Sequence, residues 1–139
     1  MITPESLAAS GSEDGHQAAV FCYFQLQRIK YPATKWLYAT PNGGKRDIKS
    51  AARLKATGVK SGVPDLFLPI RRGLFSGLWI ELKKDHKQKA SKEQLIWIDM
   101  LRCQGYAALV CVGWIEAKQV IECYLDHGRI PFGVSMREL

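Results

Sequence analysis

Two apolar runs flank a seven-residue connection in the middle of the chain: residues 65–70 (DLFLPI) and residues 78–83 (LWIELK). Runs this apolar are strands covered on both faces, so helices are expected on both sides of a sheet. The second run breaks its own pattern, because Glu81 and Lys83 stand at its end. The two-residue period of a strand puts both on one face. A charge there is costly unless it is paired or holds a metal. Alternatively, the strand ends at Glu81 and both charges reach water.

Register sharpens the choice. If the two runs fold symmetrically about Gly73, paired positions sum to 146 and Asp65 lies across from Glu81. Directly opposed side chains have Cβ atoms roughly 5 Å apart, and like charges there repel. A divalent cation would compensate, since carboxylate oxygens with waters and a phosphate oxygen make an ordinary Mg²⁺ site. Lys83 would flank it. Asymmetry at Gly77 would slip the register and send Asp65 to the other face.

The rest of the chain supplies the helices. Residues 12–30 read as a helix with Val20, Phe21, Phe24 and Leu26 on its apolar side, stopped by Pro32. Residues 35–39 (KWLYA) read as a short strand, Pro41-Asn42-Gly43-Gly44 as a turn and residues 47–57 as a short helix ended by Gly58. Ser91 starts a helix that runs to Gln104, residues 106–112 form a strand, and residues 114–125 a last helix. The order is αβαββαβα, a mixed sheet flanked by helices in an α/β sandwich. With 139 residues there is room for one domain, residues 12–139, behind a mobile lead-in of residues 1–11.

Charge is unevenly placed. The net charge is +7, yet residues 28–60 carry nine Lys or Arg against Asp47 alone, and residues 83–92 carry five Lys against Asp85. Residues 93–139 are slightly acidic. Two concentrated basic segments suit a polyanion-binding face, against the alternative of a solvated surface. Lys45, Lys49 and Arg53 recur every fourth residue and would form one stripe. The four cysteines, Cys22, Cys103, Cys111 and Cys123, form no CxxC pair and lie in apolar segments. They read as small core residues in a reducing cytoplasm, and structural zinc is not expected. The longest apolar run has seven residues, far short of a bilayer span. The first 27 residues lack Lys and Arg, so neither a secretory signal nor a transit peptide is expected.

Glu13 and Gln17 are one turn apart and could face the acidic site together. Glu13 also fits a capping box, Ser10-Gly11-Ser12-Glu13, at its N3 position; Gln94 fits another, Ser91-Lys92-Glu93-Gln94. Each could therefore serve its helix rather than the chemistry. No GxSxG, P-loop or Cys–His arrangement offers another reaction.

The ordered set of motifs carries a resemblance. Gly62-Val63-Pro64-Asp65, fifteen residues, then Glu81-Leu82-Lys83 resembles the PD-(D/E)xK nuclease signature. More narrowly, residues 13–125 resemble the virus-type replication-repair nucleases, the VRR-NUC family. The match includes Glu13 with Gln17, Pro41-Asn42-Gly43-Gly44, Arg53-Leu54-Lys55, Gly58-Val59-Lys60-Ser61, Ser91-Lys92-Glu93-Gln94 and Gly105-Tyr106. The resemblance implies a single restriction-endonuclease-like domain and a metal-dependent endonuclease on DNA. Asp65, Glu81, the Leu82 carbonyl and Glu13 would hold Mg²⁺ or Mn²⁺. Lys83 would orient the attacking water and steady the phosphate, with Gln94 in support. Asn42, Lys45, Arg46, Lys49, Arg53, Lys55, Lys60, Lys84 and Lys87 are the candidate DNA contacts. Family members process branched and flapped DNA, and small ones resemble dimeric Holliday junction resolvases, so a homodimer is expected. The competing readings are a non-catalytic DNA-binding module of the same fold, a nuclease acting on RNA, and a sequence-reading restriction enzyme, for which the chain leaves little room.

Overall fold

The computed structural model describes residues 1–41 and 48–135. Asn42, Lys45 and Arg46 and most of the expected turn lie outside the described residues. The described elements are α1 (Pro4–Ala8), α2 (Glu13–Leu26), a 3₁₀ turn (Pro32–Trp36), β1 (Tyr38–Ala39), α3 (Ile48–Ala56), β2 (Leu66–Leu68), β3 (Leu78–Lys83), α4 (Lys92–Cys103), β4 (Ala107–Val112), α5 (Gly113–His127) and α6 (Phe132–Ser135). From α2 to α5 this is the expected order, with short helices added at both ends.

The four strands form one sheet in the order β1-β2-β3-β4. The first two pairings are antiparallel, and β3 pairs with β4 in parallel through the α4 crossover. Parallel neighbours require such a crossover. Leu66, Leu68, Leu78, Ile80, Leu82, Leu109 and Cys111 point to one face and bury against Ala19, Val20 and Phe24 of α2 and Trp114, Val120, Ile121 and Tyr124 of α5. Each fully buried Leu or Ile there contributes about 1.5–3 kcal/mol. On the other face, Ile98 and Leu101 of α4 cover Ala108 and Val110 of β4. β4 is apolar on both faces because both of its faces are covered.

The β2–β3 register matches the expectation: Leu66 pairs with Ile80, Phe67 with Trp79 and Leu68 with Leu78. The turn itself is not symmetric with it. Arg72 and Phe75 exchange both backbone hydrogen bonds, at 3.1 and 2.9 Å, around Gly73-Leu74. Gly73 has φ +55°, which a two-residue hairpin loop favours. One more residue lies on the β2 side than on the β3 side between this turn and the ladder, and that offset preserves the register.

Several boundaries and burials correct the expectations. The segment 1–11 carries α1, built by a Thr3–Ser6 capping box with Pro4 in the first turn; its Leu7 and Ala8 pack on the core. The first long helix ends at Leu26 rather than residue 30, where the Gln27 backbone leaves helical geometry. The strand expected over 35–39 shrinks to Tyr38–Ala39, because Pro32 begins a 3₁₀ turn that lasts to Trp36. Pro is pre-organised for that first helical position. Among the cysteines, Cys111 is buried, Cys22 and Cys123 are half-buried and Cys103 is exposed at the end of α4, so the core reading holds fully for Cys111 alone. Among the described residues no helix is long and apolar enough to cross a membrane.

Candidate active site

Asp65 immediately precedes β2 and Glu81 follows Ile80 on β3, so the register brings the two carboxylates side by side. Both are buried, and so is Lys83, two residues further on the same face as Glu81. Asp65 is pinned twice. Its Oδ2 accepts the Leu82 backbone N–H at 2.7 Å, and its own carbonyl accepts the Thr40 N–H at 2.8 Å. The Thr40 hydroxyl donates to the Pro64 carbonyl at 2.8 Å. Thr40 thus ties β1 to the loop that delivers Asp65. A threonine just past a short strand is too common for the sequence to have flagged it.

Glu13 enters from the first turn of α2. Its capping alternative does not occur. Ser12 is the N-cap, its hydroxyl accepting from the Gly15 N–H at 3.0 Å, so Glu13 is the first helical residue rather than the third. Carboxylate oxygens of Glu13, Asp65 and Glu81 lie within 4.8 Å of one another. Gln17 is half-buried one turn later. His16, between them on the same helix, accepts the Trp114 backbone N–H through Nδ1 at 3.1 Å, which caps α5 and anchors the turn that carries Glu13. The sequence offered three scattered histidines and no reason to single this one out.

For Gln94 both readings hold at once. Its Oε1 accepts the Ser91 N–H at 2.7 Å, closing the capping box of α4. The same oxygen accepts from Lys83 Nζ at 3.1 Å, and Nε2 donates to Glu81 Oε2 at 2.8 Å. Lys83 Nζ also lies 3.3 Å from Glu81 Oε2. The helix start is therefore built into the site. Gly62 permits this closeness: at φ +88° it passes so near α4 that an added Cβ would sit 2.7 Å from Glu93 Cβ.

Electrostatics follow from burial. Burial pushes the Glu81 carboxyl up to about 9, the Asp65 carboxylate beside it adds to the rise, and Lys83 only partly opposes it. Glu13 is raised for the same two reasons, burial and then Asp65, with Lys83 and Lys84 opposing. Glu81 Oε1 is buried and has no hydrogen-bond partner. Three converging carboxylates with one orphaned buried oxygen fit a hard divalent cation, whose preferred ligands are oxygens.

The basic candidates divide. Lys84 lies close enough to act on Glu13, and Lys87 is exposed on the following turn, where its N–H bonds to Asp85. Lys49, Arg53 and Lys55 are exposed on α3, a helix that buries none of its side chains, and Lys60 is exposed just beyond it.

A VRR-NUC domain model matches residues 12–114. The chain belongs to the VRR-NUC family. A solved structure described as a VRR_NUC domain protein is 36% identical, with a TM-score of 0.72 over 90% of this chain and 96% of that one. No curated protein matches the chain. Membership makes this a nuclease-type domain.

Proposed function

We propose that this VRR-NUC domain, residues 12–139, is a divalent-cation-dependent endodeoxyribonuclease acting on branched DNA such as four-way junctions or flaps. The observation that carries the reading is the trio Glu13, Asp65 and Glu81 with the orphaned Glu81 Oε1 among them. Asp65, Glu81, the Leu82 carbonyl and Glu13 would hold Mg²⁺ or Mn²⁺. When bound, the cation lowers the pKa of water and offsets charge on the phosphoryl oxygens. The chain's own residues do the rest. Gln94 links the Glu81 carboxylate and the Lys83 ammonium through one hydrogen bond to each. Lys83 Nζ, buried and held from two sides, places its positive charge where the attacked phosphate gains negative charge. Lys49, Arg53, Lys55, Lys60, Lys84 and Lys87, with Asn42, Lys45 and Arg46, would grip the phosphate backbone. The reading includes action in the cytoplasm of a bacterial or phage-infected cell.

The test is cleavage of labelled duplex, flap, fork and four-way DNA with Mg²⁺ or Mn²⁺. Asp65→Ala, Glu81→Ala and Lys83→Ala should each abolish cleavage and leave DNA affinity within a few-fold, because affinity comes mostly from Lys and Arg on phosphates. Full activity of Asp65→Ala in EDTA would sink the metal site. Intact binding without cleavage in the wild type would favour the non-catalytic module, and cleavage confined to RNA the ribonuclease.

A further inference from the structure

The carboxylates occupy one row across the sheet, and the next row on the same face is aromatic. Tyr38 pairs with Phe67 and Phe67 with Trp79. Two residues along each strand separate the rows, about 7 Å. The Phe67 and Trp79 rings stack with centroids 4.0 Å apart, and Tyr38 meets Phe67 edge-on at 5.8 Å. Tyr106 closes the inner end against both Phe67 and Trp79. Helix α4 covers the β4 side of this face and Trp79 packs against its cluster, so the row opens only towards the edge strand β1, where Tyr38 is 49% exposed.

Three features say what belongs there. The row continues the carboxylate row, so a strand whose phosphate lies at Asp65 and Glu81 carries a neighbouring base to it. Lysines stand before and after it along the chain: Lys83, buried in the site, is followed by the exposed Lys84, and the exposed Lys35 lies three residues before Tyr38. Two such rows packed face to face would bring the same lysines of two copies together, which disfavours a second chain. A flat ring on an anionic backbone satisfies both the aromatics and the lysines. A base paired within a duplex has its faces taken by its neighbours, so the ring must come from an unpaired segment.

Resting on the nuclease reading above, we propose that Tyr38, exposed on the edge strand and backed by the Phe67–Trp79 stack, is a stacking platform for an unpaired base beside the scissile phosphate. Among the branched substrates proposed above, this favours those with an unpaired segment near the cut.

The test uses the full chain in EDTA and fluorescence anisotropy of three labelled DNAs: a blunt duplex, the duplex with a thymidine tail, and the same with an abasic tail. The wild type should bind the thymidine tail about ten-fold more tightly than the abasic tail. Tyr38→Leu, which keeps apolar volume at an exposed position, should erase that preference and leave blunt-duplex affinity within about two-fold; Tyr38→Phe should restore it. Equal affinity for the two tails in the wild type overturns the platform, as does a preference that survives in Tyr38→Leu. A dimer that Tyr38→Leu dissociates in sedimentation would make this face a contact between copies and also overturn it. Cleavage of the same DNAs in Mg²⁺ separates the two ideas. Cleavage without tail preference sinks the platform alone, and tail preference without cleavage supports the platform and sinks the nuclease.

Discussion

A buried carboxyl whose outer oxygen meets no donor prefers to keep its proton, and Glu81 is in that position. Its folded pKa is raised, so the folded state binds more protons than the unfolded chain between pH 4.5 and about 9. Stability must then fall as pH rises through that window, and Glu13 adds a slope of the same sign. We expect the melting temperature in EDTA to drop steadily from acid to alkaline pH. Mn²⁺, which replaces the proton, should restore more stability the higher the pH. Glu81→Gln should flatten the EDTA profile; a profile that rises with pH would contradict the burial argument. Gln94 allows its two duties to be separated. Gln94→Glu keeps an acceptor for the Ser91 N–H but loses the donor to Glu81 and adds a negative charge. Melting at acid pH should change little, while cleavage at neutral pH falls at least ten-fold, about 1.4 kcal/mol of lost stabilisation. Asp65, Glu81 and Lys83 were legible in the sequence because strand period and register arithmetic act on neighbouring residues. Glu13 was not fully legible. Ser10 turns back to the Leu7 carbonyl and to the Ser12 hydroxyl, so Ser12 rather than Ser10 caps α2 and the expected capping box never forms.

Elements placed the site through two close approaches, one by the hairpin register and one by the loop before β2. The register could be read from two apolar runs of fixed period. The closeness of Gly62 to α4 could not, since it joins segments thirty residues apart. Gly62→Ala tests its weight. The added methyl would stand 2.7 Å from Glu93 Cβ and 2.8 Å from the Glu93 carbonyl carbon, on a backbone with positive φ. The loop has to move away from α4, which carries Asp65 away from Gln94 and Glu81. Denaturant unfolding should show a loss of about 1–3 kcal/mol. Cleavage should fall further than stability accounts for, with DNA affinity nearly unchanged. Wild-type cleavage in a destabilised Gly62→Ala would show that the loop serves the fold and not the site. The 3₁₀ turn and α1 escaped prediction for a different reason: five residues are too few to display a helical period, and only their prolines and caps betray them.

At the scale of the molecule, one chain supplies one Asp65, one Glu81 and one Lys83, hence one site. A four-way junction is two-fold symmetric and needs two matched cuts. A protein with its own two-fold axis presents two sites related in the same way, so junction resolution calls for a homodimer. The segment Ile130-Pro131-Phe132-Gly133-Val134 is apolar and suits either a contact between copies or packing on its own subunit. In the structure Ile130 and Val134 pack on the chain's own core, and Phe132 stands 79% exposed on α6. Phe132 is therefore the tail residue whose surface a contact between copies would use. Light scattering coupled to size exclusion should give twice 15.6 kDa for the protein on a junction, and Phe132→Asp should halve that mass without touching the sites. A mixed dimer with one Glu81→Ala subunit gives the sharper reading. Each site would serve one strand, so the mixed dimer should nick one strand of the junction and stall. A monomer on the junction, or paired cuts from the mixed dimer, would leave a flap nuclease that acts on one strand at a time.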